Sequence, residues 1–195
     1  GKCAWSHPFI ALPPGGIAKI AGGDTLLIAN GSYKMGSGAP GATSDSKCNQ
    51  AWSYECIMQT IPSGPSADKP TRILGANWNN GCTTKPELWG SGRPWTVIDM
   101  NNSNNVELQC LEITDHSSCV EFHTGGIACN RDTAPFGDWA SIGLRASDSK
   151  NVKLKNLNIH GLANRGILAG RLTDWTIESS KINGNGWAGW DGDID

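Results

Sequence analysis

The stretch VKLKNLNIHGLANRGILAG, residues 152–170, decides the fold of this 195-residue chain. Apolar side chains occupy nearly every second position and are interrupted by small and polar residues. Strict alternation is typical of a half-buried β strand, whereas an amphipathic helix repeats about every 3.6 residues. The stretch therefore predicts two short strands, 152–154 and 157–160, then a turn and the start of another strand.

Two other segments share this pattern. Val106, Val152 and Trp175 come into register when three segments are superposed: NNVELQCLEIT (104–114), KNVKLKNLNIH (150–160) and TDWTIESSKIN (173–183). The first step is twice as long as the second, and the copy expected between the first two segments falls at 124–140, where Gly, Pro and Cys interrupt the alternation. The sequence therefore predicts a repeat of about 23 residues with one excursion.

A second set of apolar positions gives a similar period. Its members follow one another at steps of roughly 21 to 25 residues: Leu74, Val97, Val120, Ile142, Ile167 and Ala188. Short β segments separated by Asn, Gly and Ser turns at this period are typical of a solenoid. Each coil is predicted to hold three short strands, with successive coils about 4.8 Å apart.

These repeats resemble the right-handed parallel β-helix proteins of the pectate-lyase-like superfamily, over residues 70–195. The segment GGIAKIAGGDTLLIANGSYKM (15–35) is similar to the stretch that commonly opens such solenoids. The resemblance implies an all-β single domain. It has an entry and cap segment at 1–35, a Gly-, Pro- and Ser-rich loop at 36–70, and β-helix coils at 71–195 with the excursion at 124–140.

Composition narrows the classes of partner. A net charge of -2 and an isoelectric point near 6.1 give no reason to expect nucleic acid. No apolar run approaches the roughly 20 residues of a membrane span. Nine Trp against two Tyr and three Phe are consistent with sugar-stacking surfaces, or with Trp packed in the core and turns.

The seven cysteines lie outside any C-x-x-C pair, which favours disulfides over a zinc site. Disulfides predict an extracellular or periplasmic protein. We expect Cys48 to pair with Cys56, and Cys119 with Cys129, with Cys110 as the competing partner. Because seven is odd, one thiol is free or pairs with another chain.

The chain stops in mid-coil at GWAGWDGDID. An open coil exposes strand backbone and core side chains. We therefore expect this chain to be the N-terminal part of the solenoid, as a fragment or as a cleaved chain. In the second case another polypeptide segment completes the β-helix after Asp195, linked to this chain by a disulfide through the odd cysteine or held non-covalently.

Ionisable residues mark one face of the predicted first sheet. If the second set of apolar positions faces inward, alternation turns Ile98, Met100, Glu121, His123, Arg145 and Asp191 outward. Glu121, His123 and Arg145 lie on adjacent coils, and Asp191 lies two coils beyond Arg145, on the order of 10 Å away. The resemblance implies that this face is the floor of a polysaccharide groove.

Two chemistries fit this face. A lyase acting on uronic acids would use Ca²⁺ held by Asp191, Asp193 and Asp195, with Arg145 as the base that the resemblance implies. A hydrolase would pair two carboxyl groups, either Glu121 with Asp191 or Asp191 with Asp193. The substrate-binding candidates are Arg165, for a sugar carboxylate, and Trp139, Trp187 and Trp190, which with Phe136 would be sugar platforms.

Structural explanations exist for the same residues. Glu121, His123 and Arg145 also fit a solvated salt-bridge ladder, the three aspartates fit ordinary turns, and His116 fits a structural role after a strand. The chain is therefore expected to be a secreted polysaccharide lyase or glycoside hydrolase. The alternative is a non-catalytic extracellular β-helix that binds glycans, acts as an adhesin or has a structural role.

Overall fold

The computed structural model describes residues 4–42, 47–49, 53–121, 129–131 and 133–193, and at Asp193 the backbone alone. Strands dominate these ranges, and the only α-helix in them is α1 (Pro8–Ala11). Within the same ranges, no helix combines the length and the apolar character needed to cross a membrane. The part of the chain described is thus an all-β structure.

The strands are short except for two of 14 residues each, β8 and β10. In chain order they are β1 (Thr25–Ile28), β2 (Ser32–Gly36), β3 (Thr71–Gly75), β4 (Glu87–Ser91), β5 (Thr96–Asp99), β6 (Val106–Gln109), β7 (Glu112–Asp115), β8 (Ile142–Lys155), β9 (Asn158–His160), β10 (Arg165–Glu178), β11 (Lys181–Asn183) and β12 (Ala188–Asp193). Two 3₁₀ helices, Lys47–Asn49 and Ser53–Glu55, lie between β2 and β3.

The strands form two parallel sheets. The first sheet has the order β1-β3-β6-β8-β10-β12, with β5 paired to the beginning of β8 and β6 to its end. The second sheet has the order β11-β9-β7-β4-β2. Successive neighbours therefore come from successive parts of the chain, and strands of the two sheets alternate along it.

The register confirms the interval read from the sequence. Val152 pairs with Val106 on one side and with Trp175 on the other, as predicted. The second set of positions is corrected by a shift of two, because Ile142 pairs with Arg165, and Ile167 pairs with Leu144. The long and short predicted steps on either side of Ile167 thereby become equal, since Leu144, Ile167 and Trp190 are successive register partners.

The bends between strands repeat at the same interval. Asp148 and Arg171, one repeat apart, both have left-handed backbone dihedrals, with φ of 53° and 50°. Asn151 and Asp174, separated by the same interval, have φ of 53° and 54°. Asn and Asp tolerate this conformation better than most residues do, so the sequence fixes where the chain turns.

The core lies between the inner faces of the two sheets. Ile98, Leu144 and Ile167 point inward from the first sheet, and Leu88, Ile113 and Ile159 from the second, all fully buried. Burying each such side chain stabilises the fold by roughly 1.5–3 kcal/mol. The prediction that Ile98 and Met100 face outward is wrong: both are 0% exposed, because Ile98 is in register with the inward-facing Leu144.

Three disulfides link described cysteines. Cys48–Cys56 closes part of the loop between β2 and β3, and Cys119–Cys129 closes the start of the excursion, as predicted. Cys110 is not the competing partner of that second pair, because it bonds to Cys82. The seventh cysteine, Cys3, lies outside the described residues.

Candidate functional site

One row of side chains crosses the outer face of the first sheet. Asp99, Arg145, Leu168 and Asp191 are in register on β5, β8, β10 and β12. Neighbouring strands are about 4.8 Å apart, so Arg145 and Asp191 are separated by roughly 10 Å across the sheet. The period of the sequence predicts this row, although it does not identify Asp99 as a member.

Arg145 lies flat on an indole ring at one end of this row. Its guanidinium carbon is 3.9 Å from the centre of the Trp95 ring, and the side chain is half-buried. Within the described part of the chain, the guanidinium forms no hydrogen bond or ion pair. A guanidinium carries five N–H donors, so those of Arg145 face the space beside Trp95.

That space is a cleft of about 240 Å³ between the first sheet and the segment after β2. Its chemically distinctive lining residues are Lys47, Tyr54, Glu55, Trp95, Asp99 and Arg145. Lys47 and Glu55 pair with each other at 2.5 Å. Asp99 is 7% exposed and accepts a hydrogen bond from the backbone amide of Asn101 at 2.9 Å. Arg145 is therefore the cation left without a carboxylate among these residues.

Two stacked rings form one wall of the cleft. Tyr54 and Trp95 lie 5.4 Å apart between ring centres with an interplanar angle of 17°. The Trp95 amide donates to the Tyr54 carbonyl at 2.8 Å, which fixes the backbones of the two residues together. Burial raises the pKa of the Tyr54 phenol, the charge of Glu121 raises it further, and Arg93 and Arg145 oppose both.

Arg165 has a different environment on the same sheet. Its Nε donates to the Asp191 carboxylate, and its Nη1 donates to the Asn164 side-chain oxygen at 2.7 Å. Its guanidinium carbon also lies 4.5 Å from the centre of the Trp187 ring. Arg165 and Asp191, predicted as a sugar ligand and a catalytic carboxylate, thus neutralise each other.

Glu121 is buried rather than on an open face, since only 5% of it is exposed. Its carboxylate accepts hydrogen bonds from the Ser141 hydroxyl and, at 3.5 Å, from the Asn164 amide. The Arg131 Nε lies 3.5 Å from its other oxygen. Asn164 therefore connects Glu121 to the Arg165–Asp191 pair. His123, the predicted partner of Glu121, lies outside the described residues.

The predicted calcium ligands are Asp191, Asp193 and Asp195. Asp191 faces the Arg165 guanidinium, and a cation in that position opposes the binding of a divalent metal. The Asp193 side chain and all of Asp195 lie outside the described residues. No group of three or more metal-binding side chains occurs in the described ranges. These residues do not fit a calcium site, and no step below uses one.

The predicted sugar platforms divide into two groups. Trp187 and Trp190 are 55% and 36% exposed. Trp139 and Phe136 are 2% and 9% exposed, so neither ring presents a face to a ligand. Trp139 is buried because it packs with Cys119, Cys129 and Ala163 beneath the disulfide-closed start of the excursion.

The outer face of the second sheet carries two Glu–His pairs that the sequence did not reveal. Nε2 of His116 lies 2.9 Å from Oε1 of Glu87, and Nε2 of His160 lies 2.7 Å from Oε1 of Glu112. The two glutamates are register partners on β4 and β7. His116 also stacks on Trp89 at 4.0 Å, which covers that ring. These contacts agree with the structural role expected of His116.

Asp115 is a buried carboxyl group at the end of β7. It accepts hydrogen bonds from the backbone amides of Ser117, at 3.0 Å, and Ala140, at 3.1 Å. Burial raises its pKa to about 7, although those amides and the neighbouring His116 lower it. Asp115 thus ties the end of the second sheet to the segment that follows the excursion.

Comparison of the chain with known protein families, with curated proteins and with solved structures finds no match. The chemistry of the site therefore has to be inferred from its own residues.

Proposed function

We propose that this protein is a secreted carbohydrate-active protein that binds an acidic polysaccharide, with Arg145 as the ligand of a sugar carboxylate. The observation that carries this proposal is the Arg145 guanidinium, which is half-buried, held against Trp95 and without an anionic partner in the described part of the chain. The three disulfides support an extracellular or periplasmic location.

The cleft suits a uronic acid unit for three physical reasons. A guanidinium binds a carboxylate through two parallel hydrogen bonds, and it remains charged at all ordinary pH values. Tyr54 and Trp95 add aromatic surface beside it. A volume of about 240 Å³ is below the roughly 300–1,000 Å³ of typical small-molecule pockets, which suits one part of a longer chain.

We infer that the scaffold is a right-handed parallel β-helix with coils of about 23 residues. Two kinds of observation support this inference: the constant register interval, which is the same in both sheets, and the left-handed bend residues that recur at that interval. In such a solenoid the row from Asp99 to Asp191 crosses successive coils on one outer face, where a polysaccharide would contact several of them.

β-Elimination is the reaction that the site supports best. Neutralising a uronate carboxylate makes the C5 proton more acidic, so a base removes it and the C4–O bond breaks. The products are a C4=C5 double bond on one fragment and a free hydroxyl group on the other. In this proposal Arg145 supplies the neutralising charge. Hydrolysis is less well supported, because Glu121 is buried under Ser141, and Asp191 is paired with Arg165.

Non-catalytic glycan binding is the second candidate function. It is favoured by the same engagement of Glu121 and Asp191, because neither carboxylate is open to a substrate. The cleft would then hold a sugar acid without changing it.

One experiment separates these candidates. The protein is incubated with polygalacturonate and with a neutral glucan, and unsaturated products, new reducing ends and binding are measured. Unsaturated products indicate a lyase, reducing ends without unsaturation indicate a hydrolase, and binding alone indicates the second candidate. Arg145→Leu should weaken binding of the acidic polymer about 10- to 100-fold.

Arg171→Leu is the matched control, because it removes an exposed arginine that pairs with Asp148 at a bend. It should leave binding unchanged. If polygalacturonate does not bind, or binds Arg145→Leu as tightly as the wild type, the proposed function is wrong.

We also propose that a further polypeptide segment covers the open edge of β12. Trp190 supports this, because it is the register partner of the fully buried Ile167 and yet is 36% exposed. The intact mass of the native protein and its elution volume, each with and without reductant, test this proposal. A single species of 20.7 kDa in every condition contradicts it.

A further inference from the structure

A continuous series of cation–ring and ring–ring contacts leads to Arg145 from the protein interior. The Arg93 guanidinium carbon lies 5.7 Å from the ring centres of both Trp139 and Tyr54. Tyr54 stacks on Trp95 at 5.4 Å, and Arg145 lies on Trp95 at 3.9 Å. Trp139 and Arg93 are 2% and 3% exposed. The series therefore starts on buried groups and ends at the cleft.

Tyr54 is the member of the series that comes from outside the sheets. It belongs to the 3₁₀ helix Ser53–Glu55, immediately before Cys56 of the Cys48–Cys56 disulfide. The Ser53 hydroxyl donates to the Gly92 carbonyl, and the Tyr54 carbonyl accepts from the Trp95 amide. These bonds fasten the segment to the chain that precedes β5.

We propose that Tyr54 is a positioning residue for the acidic-ligand site: by stacking on Trp95 it holds the indole ring on which Arg145 lies, and so orients the guanidinium towards the cleft. This inference rests on the proposed function, because it assigns Tyr54 an effect on the affinity of that same site.

The physical basis is preorganisation. A free arginine side chain has many rotamers, and a ligand that fixes it loses affinity in doing so. A guanidinium held flat on an indole keeps its N–H groups at the edge of the stack, where a carboxylate approaches in the guanidinium plane. Trp95 is only half-buried, so without the Tyr54 ring its other face would lose its packing partner.

A double-mutant cycle separates positioning from direct contact, because Tyr54 also lines the cleft. Binding of trigalacturonate is measured for the wild type, Tyr54→Ala, Arg145→Leu and the double variant. Tyr54→Ala should weaken binding about 3- to 20-fold, and Tyr54→Phe should retain the wild-type affinity within about twofold. In the Arg145→Leu background, Tyr54→Ala should have no further effect.

A second readout needs no ligand. The Nε–Hε signal of Arg145 in an NMR spectrum is sensitive to the ring current of Trp95, so it reports directly on the stack. We expect this signal to move towards the position of a solvent-exposed arginine in Tyr54→Ala but to remain unchanged in Tyr54→Phe. Tyr33→Ala is the matched control for loss of a tyrosine ring, because Tyr33 lines a different cavity near the N-terminus. It should leave the signal unchanged.

The outcomes distinguish this inference from the function on which it rests. If Arg145→Leu does not weaken binding, the proposed function fails, and the ligand-free signal still decides whether Tyr54 orients Arg145. If Arg145→Leu weakens binding but Tyr54→Ala changes neither the signal nor the affinity, the positioning role is wrong. Equal losses from Tyr54→Ala in both backgrounds would mean that Tyr54 contacts the ligand directly, which also overturns it.

Discussion

Arg145 and Arg165 lie on neighbouring strands of one sheet, and each stacks on a tryptophan, yet their partners differ. Arg165 is neutralised by Asp191 and hydrogen-bonded to Asn164. Arg145 has Trp95 and no anion among the described residues. The comparison teaches that a cation on an aromatic ring indicates a ligand site only where the protein leaves its charge uncompensated. Arg165 supports the structure, and Arg145 is available to a ligand.

A buried carboxyl group held by backbone amides extends the comparison and gives the largest expected effect. The pKa of Asp115 is about 7 in the folded protein, against an ordinary value of 3.8. The native state therefore binds more protons than the unfolded state between these values, so stability falls as pH rises from about 4 to about 7. The contribution is on the order of a few kcal/mol.

Urea denaturation at several pH values measures this effect. Asp115→Asn should flatten the pH dependence between pH 4 and 7, because Asn does not titrate. A wild-type profile that keeps the same slope in this variant would show that Asp115 is not its source.

Removing each arginine in turn should separate their roles. Arg165→Leu leaves Asp191 and Asn164 without their partner and should lower the free energy of unfolding by about 1–3 kcal/mol. Arg145→Leu removes no ion pair and should change it by less than about 0.5 kcal/mol. Denaturant titration of both variants checks this order, and equal losses would remove the distinction between the two arginines.

The sequence predicted the fold better than it predicted the site. Val106, Val152 and Trp175 align correctly because each begins a segment with strict alternation. Around β8 the alignment is shifted by two, because Ile142 and Leu144 are both apolar, and alternation alone does not choose between them.

The site was predicted where a strand period carries it and missed where a loop or burial does. Arg145 and Asp191 share a row because both lie on regular strands. Tyr54 reaches Arg145 through a disulfide-closed segment whose position no strand period encodes. Glu121 was expected to be exposed, but the disulfide-linked segment places it against Ser141 and Asn164.

Releasing Arg165 from its carboxylate should turn it partly into a second Arg145. Asp191→Asn removes the negative charge, so the Arg165 guanidinium becomes available to an acidic polymer at the other end of the row. We expect the affinity for polygalacturonate to rise about two- to fivefold at low salt. Calorimetric titration measures the change, and an affinity that falls would mean that Asp191 itself contacts the ligand.

An exposed ion pair should give the smallest effect. Arg171 binds Asp148 through two hydrogen bonds at a bend, and the two side chains are 61% and 44% exposed. Water and salt screen such pairs, so Arg171→Leu should leave the midpoint of denaturation unchanged within error. A clear loss of stability would show that the bend depends on this pair.

The most direct test of the central claim follows both arginines in one NMR titration. Trigalacturonate is added to the wild-type protein, and the Nε–Hε signals of Arg145 and Arg165 are recorded at each concentration. The account predicts that the Arg145 signal shifts and saturates while the Arg165 signal, fixed by Asp191, stays in place. An unmoved Arg145 signal, or equal movement of both, would contradict it.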